Sequence, residues 1–288
     1  MINTALKKVL VIILVMSVPV AHARTGQTSI MDENDYRSVC AQAAQDPAAF
    51  GSFRAHPVYQ YGLEHVTYDQ GLECLRIAKQ QSPHFFNSLD RFKTSDLVGS
   101  PVCYEYEAIG KIAPTTMRYI KIASDLQTMF GSLDGLSIIE IGGGYGGQCK
   151  ILADLFNFKS YTIVDLSEPL ALTKKFLSQC NVKNVTLVSP DEYILGQHYD
   201  LVISNYAFSE CCRDVQQKYI DEILAHADAG YLTCNVLPQE SIKIPYQHEL
   251  LQMLKQVNIS YCLLREEPLT NWNNYLVVWT NNRKNVSP

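Results

Sequence analysis

Glu140 stands two residues ahead of a glycine cluster made by Gly142, Gly143, Gly144, Gly146 and Gly147, interrupted only by Tyr145. Glycines in such a run let the backbone turn with positive φ and let a ligand lie against bare main chain at a helix N-terminus. Asp165 follows 25 residues after Glu140. An acid there, at the end of the next strand, is placed to hold a ribose diol through two hydrogen bonds to one carboxylate. These residues together mark a nucleotide or nucleoside site.

The surrounding elements must position that site. Ile138, Ile139 and Ile141 form a β-branched run that predicts a buried strand, and 148–156 carries apolar residues at helical spacing. Strand, glycine turn, helix opens a Rossmann-like α/β domain. Further strands are predicted at 160–165, 185–188, 199–204 and 231–236, with helices at 169–180, 214–226 and 248–257. The last two strands, 259–264 and 275–280, are joined by a loop containing Pro268 that is too short for a helical crossover, so they are expected to be antiparallel neighbours. Ahead of the glycine strand the chain reads as a mostly helical cap, residues 24–130, preceding an α/β domain over 131–288. Helices are predicted at 35–45, 71–81, 83–92 and 115–130, with an ordered but irregular segment at 50–69. In the helix over 115–130, Met117, Ile120, Ala123, Leu126 and Phe130 share one face, and Arg118, Lys121, Asp125 and Thr128 fall on a face expected to be solvated.

Gly142-x-Gly144-x-x-Gly147 fits the dinucleotide fingerprint, which would suit a nicotinamide-dependent oxidoreductase. Only about 140 residues follow it, and they close in an antiparallel hairpin rather than a further parallel sheet and substrate domain. Glu140-x-Gly142-x-Gly144-x-Gly146 and the reversed final strand resemble class I S-adenosylmethionine-dependent methyltransferases. EIGGGYGGQCKIL, IVDL, YDLVISNYAFSE and PTTMRYIKIASDL together resemble the sugar O-methyltransferase family, over roughly residues 85–280. The resemblance implies a mostly parallel sheet with one reversed strand, S-adenosylmethionine as cofactor, and a sugar or glycan hydroxyl as acceptor.

It also implies roles. Glu140 and the loop from Gly142 to Gly147, Tyr145 included, would hold the methionyl end of the donor, unless Glu140 only orders the loop. Asp165 would hold the ribose or else cap the next helix. Asp191, with Ser189, would lie near the adenine or be a turn residue. Methyl transfer to a hydroxyl requires the acceptor oxygen to be aligned and its proton removed. Asn205 and Tyr206 suit the first task, and Glu210 the second; the alternative for Glu210 is an acid favouring the dipole of the following helix. His248 is a second candidate base, after a segment from Pro238 to Pro245 that could act as a lid. Trp272 with Asn271, Asn273 and Asn274 could stack on and bond a sugar ring, or be loop residues beside a core strand.

Composition narrows the partners. Hydrophobic residues make up 47% and charged residues 18%, enough for a real core, and the net charge of −5 gives no general attraction to a phosphate backbone, so nucleic acid is not expected. Lys7 and Lys8, the apolar run from Val9 to Val20, and Ala21-His22-Ala23 look like a cleavable export signal over residues 1–23, with no stable membrane insertion after cleavage, or else an uncleaved anchor or a start misassigned ahead of Met31; the apolar run of about a dozen residues is too short to span a bilayer. Such a start points to export, whereas use of a cytosolic methyl donor points to the cytoplasm. It also supports a third reading, an exported non-catalytic binding protein that kept the fold. The nine cysteines are scattered without a CxxC pair, and no metal-ligand spacing is present.

Overall fold

The computed structural model describes Ser29 and residues 34–192, 196–236 and 242–280. The signal-like residues 1–23 and positions 238–241 of the expected lid lie outside the described residues. The N-terminal region is helical: α1 (Asn34–Gln45), α2 (Pro47–Ser52), α3 (Pro57–Gly62), α4 (Tyr68–Gln81) and α5 (Leu89–Lys93). A two-stranded hairpin, β1 (Tyr104–Tyr106) and β2 (Gly110–Ile112), then leads to the long helix α6 (Pro114–Phe130). The sheet and its helices follow as β3 (Ser137–Ile141), α7 (Gly147–Leu155), β4 (Ser160–Val164), α8 (Ser167–Gln179), β5 (Val185–Val188), β6 (Tyr199–Asn205), α9 (Arg213–Glu222), β7 (Ala227–Cys234), α10 (Gln247–Gln256), β8 (Tyr261–Arg265) and β9 (Tyr275–Thr280). Among the described residues no helix is long and apolar enough to cross a membrane.

The seven-stranded sheet has the order β5-β4-β3-β6-β7-β9-β8. β3 pairs in parallel with β4 and β6, and the parallel pairing continues outward to β5 and β7. β9 runs antiparallel to both β7 and β8, so it alone is reversed. Strand alternation sorts the side chains onto two faces. Ile138, Tyr161, Ile163, Leu201, Ile203, Tyr231 and Val278 join one core with α1, α4, α6, α7 and α8. Ile139, Ile141, Val164, Val202, Leu232, Val277 and Trp279 join another with α9 and α10. Both faces are covered, which is why these strands read as near-continuous apolar runs.

Three sequence expectations change. The segment 50–69 is not irregular but holds α2, a 3₁₀ turn at Phe53–Ala55 and α3, with Pro47 and Pro57 in the first turns where proline is tolerated. The predicted strand at 231–236 begins at Ala227, and the helix before it stops early, at Glu222, followed by a 3₁₀ turn. The stretch Ala227-Asp228-Ala229-Gly230 lacks β-branched residues, and at Gly230 the reason is the Trp279 indole: a Cβ there would sit 2.1 Å from its Cη2. Finally, the charged face of α6 is not solvated. Arg118, Lys121 and Asp125 are buried because α6 packs between α4 and α7 over the sheet, and only Thr128 of that set is exposed. Lys121 and Asp125 pair at 2.6 Å, and the Tyr231 hydroxyl donates to the same Asp125 oxygen at 2.7 Å, tying α6 to β7.

Candidate active site

A cavity of about 340 Å³ opens at the C-terminal ends of β3, β4 and β6. That is the crevice where the strand order reverses on either side of β3, the usual ligand site of an open α/β sheet. β3 contributes Glu140, the loop after it Gly142, Gly143 and Gly144, and the residue after β4 is Asp165. The loop after β6 contributes Asn205, Tyr206, Ala207 and Glu210, and the N-terminal region supplies Tyr36, Leu63, Arg118 and Tyr119. The cradle and the polar loop predicted from sequence therefore line one space.

The glycine loop is shaped by what surrounds it. Gly142 has φ of +77°, and a Cβ there would lie 2.0 Å from that of Ala207; at Gly144, with φ of +56°, it would lie 2.6 Å from Leu63 Cδ2. Only glycine leaves this backbone open. Asp165 holds the loop in place, its carboxylate accepting from the Gly144 N–H at 3.1 Å and the Leu166 N–H at 2.8 Å. Burial raises its carboxyl to about 6, with those backbone donors acting the other way. Glu140 lies deeper. Tyr161 donates to its Oε2 at 2.8 Å, and burial, reinforced by the charge of Asp165, raises it to about 8. A cationic group brought alongside would favour its ionised form.

The β6 loop carries the groups suited to an acceptor. Both amide atoms of Asn205 are buried and close no hydrogen bond, although the side chain lies near enough to Glu140 to favour its ionised form. Tyr206 takes φ of +73°; its hydroxyl donates to Glu266, shares a 2.8 Å bond with Thr270, and is pushed up by burial. That hydroxyl is committed within the protein, so Tyr206 presents its ring rather than a base. Glu210 accepts from Asn235 Nδ2 at 2.6 Å, and burial raises its carboxyl to about 7.

Other expected residues are placed elsewhere or at the margin, Gly147 of the loop among them. Tyr145 and Gly146 do not line the cavity. The Tyr145 ring turns into the core beneath the loop, 4.8 Å from the Phe176 ring and 5.6 Å from that of Phe53, while Gly146 caps α7 with φ of +90°. Asp191 lies exposed at the cavity edge beside Pro190. His248 is not brought to the cavity: Leu250, Met253 and Leu254 of α10 pack on the sheet, leaving His248 exposed against the ring of Tyr246. Trp272 is 80% exposed and lies with Asn273 and Asn274 in a separate shallow depression beside β8.

Arg118 was hidden from sequence reading. It lies between Met117 and Tyr119 on what reads as a solvated stripe, yet it lines the cavity. Among the described residues, His198, Asp200 and Asp228 bring ligand atoms within 4.8 Å of one another. They stand at the N-terminal ends of β6 and β7, away from the cavity, where Asp200 accepts from the Ser137 N–H and His198 pairs with Asp228.

A seven-stranded sheet with this order, one reversed strand and a glycine loop after the central strand is the class I methyltransferase form of the Rossmann-like fold. No protein-family model matches the chain, and neither does any curated protein. Solved structures do. The YcgJ protein of Bacillus subtilis is 15% identical over 49% of this chain and 69% of its own, with a TM-score of 0.40. A methyltransferase from Pyrococcus furiosus is 17% identical over 55% and 82%, at 0.39. An S-adenosylmethionine-dependent methyltransferase from Mesorhizobium loti is 13% identical over 54% and 95%, at 0.42. The fold assignment rests on the strand order and direction.

Proposed function

We propose that this chain binds S-adenosylmethionine and transfers its methyl group to a hydroxyl of a sugar or glycan-like acceptor. One observation carries the reading: the acid and glycine residues of β3 and β4, and the loop Asn205–Glu210, line the same cavity. The bound donor supplies a methyl group already activated on a sulfonium. The residues present suit such a donor. The bare backbone of Gly142 to Gly144 leaves room that a Cβ would fill, Glu140 offers a carboxyl to an amino group, and Asp165 offers one to a ribose diol. Asp191 and Pro190 border the end suited to the adenine.

On the other side of the reaction, Asn205 offers an unpaired donor and an unpaired acceptor to a polyhydroxy compound. Glu210, held in orientation by Asn235, would take the hydroxyl proton as the acceptor oxygen bonds to the methyl carbon and the methyl–sulfur bond breaks, the thioether being the leaving group. Its raised carboxyl is matched to proton transfer near neutral pH.

Isothermal titration with S-adenosylhomocysteine tests the donor half. Wild type is expected to bind, and Asp165→Ala to bind at least about tenfold more weakly, the worth of hydrogen bonds to a charged group. No heat at high micromolar ligand, or an Asp165→Ala variant equal to wild type, would overturn the proposal.

A further inference from the structure

Three buried cations outside the cavity each have a carboxylate. Arg54 pairs with Glu64 at 2.6 Å and Asp96 at 3.1 Å, Lys121 pairs with Asp125, and Lys150 pairs with Asp154. Arg118 differs. It is 6% exposed, it lines the cavity, and neither Nε nor Nη1 has a hydrogen-bond partner. Among the described residues it forms no salt bridge. Its guanidinium is bracketed by rings instead, 5.3 Å from the Tyr119 centroid and 5.1 Å from that of Tyr206, and among the described residues its one polar side-chain neighbour within hydrogen-bonding reach is the neutral Tyr206 hydroxyl. Glu266 is near enough to act on it through space, but the Glu266 oxygens are occupied by the hydroxyls of Tyr206 and Thr270 and by the Thr270 N–H.

Burying an arginine without a paired anion costs several kcal/mol in effective desolvation. The other buried cations are paired, whereas this one lies open to the cavity, where an anionic ligand would compensate it. A guanidinium is planar, always charged, and matched to a carboxylate. Its position selects the ligand group. Arg118 stacks on Tyr206, which belongs to the acceptor-side loop, and the orphaned amide of Asn205 is the adjacent residue in the chain. None of the other acids lining the cavity, Glu140, Asp165, Asp191 and Glu210, forms a salt bridge with Arg118.

We infer that Arg118 is the anion-binding residue of the acceptor subsite, so that the acceptor is a hydroxylated carboxylic acid of the sugar-acid type rather than a neutral sugar. This rests on the methyl-transfer reading for the word acceptor, but the preference for an anion can be measured without it. The second possible source of a carboxylate is the methionyl end of the donor itself, and the test separates the two.

The experiment is calorimetric titration of the full chain with D-glucuronate and with D-glucose, which share a ring and differ in a carboxylate. Each is run alone and with saturating S-adenosylhomocysteine, for wild type and Arg118→Met. S-adenosylhomocysteine and 5′-methylthioadenosine, which lacks the amino-acid end, are titrated separately. Wild type is expected to bind glucuronate at least about tenfold more tightly than glucose. Arg118→Met should abolish that difference, leave S-adenosylhomocysteine affinity unchanged, and leave Tm unchanged or higher because a buried unpaired charge is gone. Equal binding of the two sugars by wild type overturns the inference and needs no variant. So does a difference that survives Arg118→Met. Weakened binding of S-adenosylhomocysteine but not of methylthioadenosine would assign Arg118 to the donor carboxylate instead. Failure of wild type to bind S-adenosylhomocysteine would sink the methyl-transfer reading, while the glucuronate and glucose titrations on the chain alone would still decide whether Arg118 selects an anion.

Discussion

At the scale of single residues, the cavity places carboxyls where burial changes what each can do. Glu140 is raised to about 8, Asp165 to about 6 and Glu210 to about 7, all chiefly by burial. Backbone N–H groups of the glycine loop and of Leu166 oppose that rise at Asp165 by favouring its ionised form. Glu210 is the one poised at neutrality, and this has a pH signature. A general base acts as the carboxylate, so the methyl-transfer rate should rise with pH through about 7 and level off above it. Glu210→Gln keeps the shape and an acceptor for Asn235 but cannot take a proton. It should lower the rate by roughly 10²–10⁴ and flatten the rising limb. The measurement is transfer of labelled methyl to a cell-glycan extract across pH about 5.5 to about 8.5. A Glu210→Gln variant that keeps both the rate and the limb would remove Glu210 from the role of base. His248 offers no substitute, since it stands exposed outside the cavity.

Among the elements, α6 brings Arg118 and Tyr119 to the cavity. Its residues are buried from Pro114 to Leu126, and its Lys121–Asp125 pair receives the Tyr231 hydroxyl of β7. Removing one member of a buried pair leaves the other uncompensated. Asp125→Ala should therefore cost roughly 3–5 kcal/mol in urea denaturation, and adding Lys121→Met should restore most of that, because an apolar side chain removes the stranded ammonium. A loss for Asp125→Ala below about 1 kcal/mol, the size typical of a surface pair, would show that the pair does not hold α6 to the sheet. The same helix marks where sequence pattern ran out. Ile138-Ile139-Glu140-Ile141 ahead of five glycines announces its strand and turn, and the short Pro268 loop announces the antiparallel end, because each signal is local. Helical period identifies one apolar face of α6 but is silent on whether a second layer covers the other. Here α4 does, so Arg118, Lys121 and Asp125 look solvated in sequence and are buried in the fold. The start of β7 was hidden for a related reason, since Gly230 is required by a Trp279 that lies far along the chain. Asn205, Tyr206 and Glu210 were legible because the residues after a strand's C-terminal end are local to it, whereas the isolation of Arg118 is a property of the whole neighbourhood.

At the scale of the whole molecule, the helical N-terminal region and the sheet share both a core and a site. One hydrophobic cluster runs from Tyr36 and Phe53 through Met117 and Ile120 to Ile138, Tyr161, Tyr231 and Val278. α1 packs on α8, where Arg37 pairs with Glu168 at 2.8 Å. Tyr145, immediately inside the glycine loop, packs against Phe53 and Tyr59 and lies under Arg54, all from the N-terminal region. The glycine loop is thus propped from beneath by residues that precede it by some ninety positions. The cavity itself takes Tyr36, Leu63, Arg118 and Tyr119 from the same region. A chain truncated to 131–288 would uncover the apolar side chains of that sheet face that α1, α4 and α6 cover, and the loop would lose the support of Phe53, Arg54 and Tyr59 beneath Tyr145. Exposed apolar surface on that scale favours association over a packed monomer. The truncated chain is therefore expected to aggregate on size exclusion, or to lack a near-ultraviolet circular dichroism signal if it stays soluble, and to show no S-adenosylhomocysteine binding in either case. A soluble monomer of 131–288 with a cooperative thermal transition and wild-type affinity would mean that the sheet folds and forms its cradle alone. The helical region would then serve only as a cover over the acceptor end, and Arg118 would be its single contribution to the chemistry.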